Sequence, residues 1–346
     1  MDYWSCYARN YQVSDIPDKV NYIQYNFWNI DNEFKLVSGD PYLDLEKQFI
    51  YNGVLPLDKY DPRKPQTFGN FNQFKKLKDS GRKLNISLVI AQSDNLLNAL
   101  KNTQDRTCLI ESIIYILEKY DILNGVTFTY PETELSYFLL FIKDLKQKCR
   151  ISNVPIEISL IINNNITPNH LIRNFIPFVD SFFLMSHDFR MQCSPAMTVF
   201  HTNPRKSEYN KGFSCEEISD QYLEFIPNQK LYISGAFYSR GFSNTNGPGE
   251  IGVEGSSDVG LIQGKIDYNL LPLQGATEYN DNESKAAYSY DCIKKIINTY
   301  DNEVSLLEKV DIIQNKQLGG ITIFDISGDK PITHPKSLIK LLHRII

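Results

Sequence analysis

The chain has 346 residues, 42% hydrophobic and 22% charged, which is the balance of a globular protein with apolar mass for one large domain or two modest ones. Its formal charge of −5 argues against nucleic acid as a partner, because phosphate binding depends on Lys and Arg displacing counterions. The opening residues, Met1-Asp2-Tyr3-Trp4-Ser5-Cys6, lack the basic start and apolar run of a signal peptide, and no segment has the apolar length of a membrane span. The sequence as given reads as cytoplasmic by default, with a removed leader or an export route that needs no signal left open.

The six cysteines (Cys6, Cys108, Cys149, Cys193, Cys215, Cys292) lie far apart, without the paired spacing of a zinc site or a disulfide framework, and read mostly as free thiols. Asn, Ile, Lys and Tyr are frequent, as in Ile161-Ile162-Asn163-Asn164-Asn165-Ile166, but no tract is long enough to count as low complexity. No repeat of solenoid or propeller length is visible.

In chain order, short β-branched or aromatic runs predict strands at Tyr3 to Cys6, Val20 to Ile30, Leu84 to Ala91, Gly125 to Tyr130, Ile156 to Ile162, Ser181 to Ser186, Leu231 to Tyr238 and Gly320 to Ile326. Helical periodicity falls between several of them. From Arg106 to Tyr120 the residues Leu109, Ile110, Ile113, Ile114 and Leu117 form an apolar stripe, and Leu135 to Lys146 carries another. Eight strands with crossover helices predict an α/β fold, a closed (β/α)₈ barrel whose ligand site lies at the C-terminal ends of its strands. The rhythm breaks from Ser243 to Asp291, a stretch of about fifty residues rich in Gly, Asn, Asp and Tyr, too long for a plain loop. The expected organisation is barrel over 1–242, a small α+β insertion subdomain over 243–291 between the seventh and eighth strands, and barrel again over 292–346.

Tyr7-Ala8-Arg9-Asn10-Tyr11-Gln12-Val13, Asp15-Ile16-Pro17 and Val20-Asn21-Tyr22-Ile23-Gln24-Tyr25-Asn26-Phe27 resemble the first two strands of family 18 chitinases. Gly69-Asn70-Phe71-Asn72-Gln73-Phe74-Lys75-Lys76-Leu77-Lys78 resembles the helix before the third strand. Met185-Ser186-His187-Asp188-Phe189 resembles the sixth-strand motif, and Ala236-Phe237-Tyr238-Ser239-Arg240-Gly241-Phe242 the seventh. Gly275-Ala276-Thr277-Glu278-Tyr279 with Tyr288-Ser289-Tyr290-Asp291 is similar to the insertion domain, and Gly319 to Asp329 to the eighth strand. The order and spacing of these pieces together carry the resemblance, which runs along nearly the whole chain. The first strand departs from the pattern, since the chain starts almost inside it.

The resemblance implies a chemistry that this sequence lacks the groups to perform. Family 18 hydrolysis uses a protonated glutamic acid at the end of the fourth strand to protonate the glycosidic oxygen, while the sugar's acetamido oxygen attacks the anomeric carbon. Its acidic motif spaces carboxylates two residues apart because alternate strand residues point the same way, and their crowding raises the acid's pKa. Here the run reads Leu123-Asn124-Gly125-Val126-Thr127-Phe128-Thr129-Tyr130-Pro131, so the motif's carboxylate positions hold Asn124, Thr127, Thr129 and Pro131. None can titrate, and the two threonines are ordinary strand residues. Glu132 lies one residue beyond the expected acid, a slip that turns a side chain to the opposite face unless a bulge intervenes. Its ordinary reading, like that of Glu134, is a carboxylate opening a helix from Glu132 to Lys146.

Other positions of the family site have drifted. The third strand ends Val89-Ile90-Ala91-Gln92 where the family carries a serine and paired glycines, His187 stands in place of a tyrosine that steadies the acetamido group, and Phe324 in place of the tryptophan that floors the subsite. Met185 and Asp188 match. Tyr238 and Arg240 also match and, with Phe27, Met185, His187, Asp188 and Phe324, are the candidates for ligand binding; for Tyr238 and Arg240 the competing reading is a hydrogen-bonded pair at the barrel rim. His187 and Asp188, as strand neighbours, should point to opposite faces and form no dyad. His170, His201, His334 and His343 are too dispersed for a metal site, and no metal or cofactor is expected. Lys75, Lys76, Lys78, Arg82 and Lys83 read as the wet face of a barrel helix, and Gly247-Pro248-Gly249 as a turn.

Trp4 and Trp28 are the only tryptophans, few for a groove that would hold a sugar polymer by stacking. The sequence points to an inactive chitinase-like barrel reused as a structural or protein-interaction subunit of a larger assembly. Non-catalytic binding of chitin or another N-acetylglucosamine glycan is the alternative, and a chitinase with a relocated acid ranks third.

Overall fold

The structure, a computed structural model, describes residues 9, 11–49, 67–189, 196–210, 214–255 and 264–345. The strand expected at Tyr3 to Cys6, with Cys6 and Cys193, lies outside the described residues. The chain divides into two compact units, Met1–Ile161 with Asn174–Asp180, and Ile162–Arg173 with Ser181–Ile346.

In the first unit the apolar runs become parallel strands with helical crossovers. β1 (Tyr22–Ile30) turns back into a short antiparallel partner, β2 (Leu36–Ser38), which the sequence reading did not anticipate. Then follow α1 (Gly69–Asp79), β3 (Asn85–Ile90), α2 (Asp94–Lys101), α3 (Thr103–Lys119), β4 (Gly125–Thr129), α4 (Leu135–Ile151) and β5 (Glu157–Ile162). The strands lie in the order β2-β1-β3-β4-β5, parallel from β1 onward. Both faces of β4 are buried, as a parallel sheet covered by helices requires. One face sends Phe128 onto Phe138 and Phe141 of α4, with ring centroids 6.0 and 5.4 Å away. The other face carries hydroxyls, where Thr127 meets Ser87 at 2.7 Å and Tyr22 meets Ser159 at 3.2 Å.

Gly125 starts β4 because nothing larger fits there: a Cβ would lie 2.1 Å from the Glu157 carbonyl oxygen. Helix caps follow the sequence. Ser93 accepts from the Leu96 amide and Asn102 from those of Gln104 and Asp105. The helix expected from Glu132 instead begins at Leu135, because Glu134 takes a left-handed conformation (φ 60°) and interrupts the chain there.

The second unit joins a short parallel sheet to an antiparallel one. β6 (Ser181–Leu184), α5 (Cys215–Leu223) and β7 (Leu231–Ala236) lead into β8 (Tyr238–Ser243). β9 (Val253–Glu254), β10 (Lys265–Asp267), β11 (Thr277–Asn280), β12 (Ala287–Asp291) and β13 (Ile296–Tyr300) precede α6 (Glu303–Lys316), β14 (Gly320–Phe324) and α7 (Leu338–Ile345). β7 pairs in parallel with β6 and β14. β8 joins the antiparallel order β10-β8-β13-β12-β11, with β9 also on β8. The strand expected to run unbroken from Leu231 to Tyr238 therefore ends at Ala236. At Phe237 the backbone changes partners, donating its N–H to the Phe324 carbonyl and accepting from the Tyr268 amide, so that Tyr238 and Arg240 belong to the antiparallel sheet. That sheet draws its strands from Tyr238 to Tyr300, and the helical element described between Ser243 and Asp291 is the turn Tyr268–Leu270.

Candidate functional site

The residues that the sequence reading aligns with the family's acid positions sit around β4. Asn124 precedes the strand and is tied down there, its Oδ1 accepting from Lys78 Nζ and from the Ile86 amide, both at 3.0 Å. Thr127 is fully buried in its bond with Ser87, and Thr129 ends the strand half-buried. Tyr130 and Pro131 are buried. Burial pushes the Tyr130 hydroxyl up to about 12, and its ring packs on Phe175 at 5.5 Å. Glu132 is exposed beyond the strand end, and Glu134 makes a 2.8 Å ion pair with Lys101. In this unit Glu157 is the described carboxyl that burial, with Asp180 nearby, pushes upward, but it stands at the N-terminal end of β5, opposite Gly125. Phe27, near the end of β1, is 46% exposed.

In the second unit the candidates gather beyond β6 and along β8. β6 ends at Leu184, so His187 and Asp188 lie in a turn, with Asp188 left-handed at φ 57°. They form no dyad, though for a different reason than strand alternation: each is held by someone else. His187 Nδ1 lies 2.6 Å from Ser234 Oγ, and its ring packs on Phe324 with centroids 4.7 Å apart. Asp188 takes two bonds from Arg240, from Nε at 2.8 Å and Nη2 at 2.6 Å. This planar two-point pairing is the strong form of an Arg–carboxylate contact. Met185, half-buried, opens the turn.

Charges in this cluster are fixed by their surroundings. Burial works to raise the Asp188 carboxyl, but the hydrogen bonds from Arg240, with the nearby His201 imidazole, overcome it and hold the group below the ordinary carboxylate range. Burial drives the His187 imidazole down to about 3, against the pull of Asp188 and with His201 and Lys309 adding to the fall. The His201 imidazole is lowered as well, chiefly by burial. Tyr238 is only 7% exposed, with its ring centroid 5.4 Å from that of His201 and 4.2 Å from Lys265 Nζ.

Behind the cluster is an ion pair that the sequence reading missed. Lys309 and Asp301 are fully buried and 2.7 Å apart. Lys309 Nζ also donates to Thr202 Oγ1 at 2.6 Å and to the Ser234 carbonyl at 3.0 Å. Asp301 accepts from Thr202, Ser305 and the Ala236 amide. All three ammonium protons have acceptors, as a charge in so dry a place requires. A signal existed in the sequence, since Lys309 stands on the apolar stripe Leu306, Val310 and Ile313 of α6. His201 gave none.

No group of three or more potential metal ligands occurs among the described residues, and no described helix is long and apolar enough to cross a membrane. Cys108, Cys149, Cys215 and Cys292 are free thiols.

Residues 1–329 match the sequence profile described as Glycosyl hydrolases family 18. Endochitinase 1 of Metarhizium robertsii is 25% identical over 97% of this chain and 81% of its own length. Chitinase A1 of Niallia circulans is 24% identical over 94% of this chain and 55% of its own. Among solved structures, the catalytic domain of psychrophilic chitinase B from Arthrobacter TAD20 is similar with a TM-score of 0.86 at 20% identity, covering 100% of this chain and 93% of that one. Chitinase ChiA74 from Bacillus thuringiensis is similar with a TM-score of 0.85 at 19% identity, covering 100% of this chain and 68% of that one. The fold is the (β/α)₈ barrel expected from the sequence. With the profile spanning almost the whole sequence, the chain belongs to glycosyl hydrolase family 18.

Proposed function

We propose that this chain is a non-hydrolytic member of family 18, retained as a structural or protein-interaction subunit of a larger assembly. The observation that carries the proposal is the chemistry around β4, where Asn124, Thr127, Thr129 and Pro131 offer no proton at the place the family's mechanism requires one. Asp188 is no substitute, since its two bonds to Arg240 keep it ionised and occupied, and an ionised carboxylate cannot protonate a leaving oxygen. The same bonds hold Arg240 on Asp188, and Tyr238 is largely covered beside His201 and Lys265, which favours structural roles for these two residues over a sugar subsite, with Asp188 rather than Tyr238 as the hydrogen-bond partner of Arg240. A fold kept while its reacting groups are replaced fits a role for the scaffold itself.

A second reading, non-catalytic binding of an N-acetylglucosamine glycan, is favoured by two rings. Phe27 is 46% exposed and Phe324 half-buried, so both have surface on which a sugar face could stack. The relatives named above are chitinases, which makes a chitin oligomer the ligand to test. Titration calorimetry with chitin hexasaccharide, followed by analysis of the recovered sugar, separates the readings. The proposal expects no heat at millimolar ligand and an intact hexamer. Heat with an intact hexamer would shift the assignment to glycan binding, and shortened products would overturn both.

A further inference from the structure

Two histidines are sealed inside the second unit on segments that bind each other. His187 and His201 are 0% and 1% exposed, and the Phe189 amide donates to the His201 carbonyl at 3.1 Å, tying the Met185–Phe189 turn to the 198–203 segment. Asn164 adds a bond to the His187 carbonyl. His187 uses Nδ1 on Ser234, while its Nε2 is buried with no hydrogen-bond partner among the described residues. His201 Nδ1 lies 3.3 Å from Asp188 Oδ1 but off the line of a hydrogen bond, and its Nε2 is likewise buried without a partner.

Among the described residues, the charged groups facing this pair are already paired with one another. From the turn comes Asp188, and from β8 Arg240 and Tyr238, with Glu254 of β9 near Arg240 and Lys265 of β10 over Tyr238. α6 supplies Lys309, the residue before its cap is Asp301, and α5 presents the Cys215 thiol to the Ser186 carbonyl. Both carboxylates closest to the imidazoles already hold a cation, Asp188 that of Arg240 and Asp301 that of Lys309. A proton added to either ring would therefore have to share a carboxylate with a cation it already holds, or stay uncompensated in a dry interior.

We infer that His187 and His201 form an acid-sensitive latch: while neutral they hold the Met185–Phe189 turn against the 198–203 segment, and protonation parts the two, releasing Asp188 from Arg240 and uncovering Tyr238. The inference is independent of whether the chain binds glycans. Its sign follows from linkage. An imidazole whose value is depressed in the closed state stabilises that state fully above its ordinary value near ~6.5, and the contribution is lost as pH falls below it. Each histidine then raises the opening equilibrium by up to ~10-fold per pH unit below that point, and the pair by up to ~100-fold.

Hydrogen exchange on the full chain between pH 7 and 5, corrected for the intrinsic pH dependence of exchange, reads the opening at the Phe189, Ser234 and Ala236 amides. The latch predicts opening that steepens toward ~100-fold per unit in the wild type, is shallower by ~10-fold per unit in His187→Asn or His201→Asn, and flattens in the double variant. Equal slopes in the wild type and the double variant would overturn it. Imidazole ¹⁵N spectra of the wild type give a test that needs no variant to fold. Both rings must stay unprotonated for as long as native signals persist, and either ring titrating near ~6.5 within the native state sinks the proposal.

Discussion

Replacing Lys309 by methionine removes the ammonium but keeps most of the side-chain volume, so it isolates the charge. The wild-type Nζ makes three bonds, to Thr202 Oγ1 at 2.6 Å, Asp301 Oδ2 at 2.7 Å and the Ser234 carbonyl at 3.0 Å. In Lys309→Met the Asp301 carboxylate keeps the Ser305, Thr202 and Ala236 donors but loses its counter-charge in a site of zero exposure. Breaking one side of a buried pair costs about 3–5 kcal/mol. Asp301→Asn alone leaves the ammonium uncompensated and should cost a similar amount, whereas the double variant strands no charge and should lose less than the sum of the singles by at least ~2 kcal/mol. Far-UV circular dichroism in urea gives the stabilities, and hydrogen exchange at Ala236 localises them to the second unit. Tryptophan fluorescence is the wrong probe, because the described tryptophan, Trp28, lies in the first unit. A loss below ~1 kcal/mol in Lys309→Met with an unchanged m-value, or strict additivity in the double variant, would refute the reasoning.

Three further outcomes are expected. Peptide mapping after alkylation of the native protein should find Cys292, which is exposed, modified well before Cys149 and Cys215, whose thiols burial pushes up, Cys149 to about 11; early labelling of either would contradict their packing. Asp188 is depressed in the fold, so its contribution to stability is complete above the ordinary carboxylate value near ~3.9 and disappears as pH falls below it; thermal melts should show a smaller acid loss over that window in Arg240→Met than in the wild type, and parallel losses would show that the pair does not set the Asp188 charge. Gly125→Ala should cost about 3 kcal/mol or more, or abolish soluble protein, because its Cβ meets the Glu157 carbonyl at 2.1 Å and backbone cannot yield as a side chain can; a near-neutral effect in urea melts would count against the β4–β5 register.

How much of this was legible depends on where each interaction is written. The strands expected at Leu84 to Ala91 and Gly125 to Tyr130 appear as Asn85–Ile90 and Gly125–Thr129, because a parallel strand buried on both faces is a continuous apolar run that sequence displays directly. The break at Ala236 was not legible, since Phe237 changes partners through bonds to Phe324 and Tyr268 that lie far along the chain. That Asn124, Thr127, Thr129 and Pro131 carry no carboxyl is written in the residue types themselves, and strand alternation is what makes them the positions to test. The fate of Asp188 could not, because Arg240 reaches it across 52 residues and a left-handed turn that no local pattern announced. Lys309 lies between: a lysine on an apolar helical stripe announces a buried partner, yet only the fold identifies Asp301.

The central proposal is that Asn124, Thr127, Thr129 and Pro131, the residues aligned with the family's acid positions, leave no acid at β4 to protonate a glycosidic bond. The direct measurement is prolonged incubation of chitin hexasaccharide with concentrated protein, alongside a Glu132→Gln variant, with products quantified by chromatography and mass spectrometry. The account predicts an intact hexamer with both proteins. Cleavage by the wild type that disappears in Glu132→Gln would contradict it, by showing that an acid one residue beyond the family position had taken over the reaction.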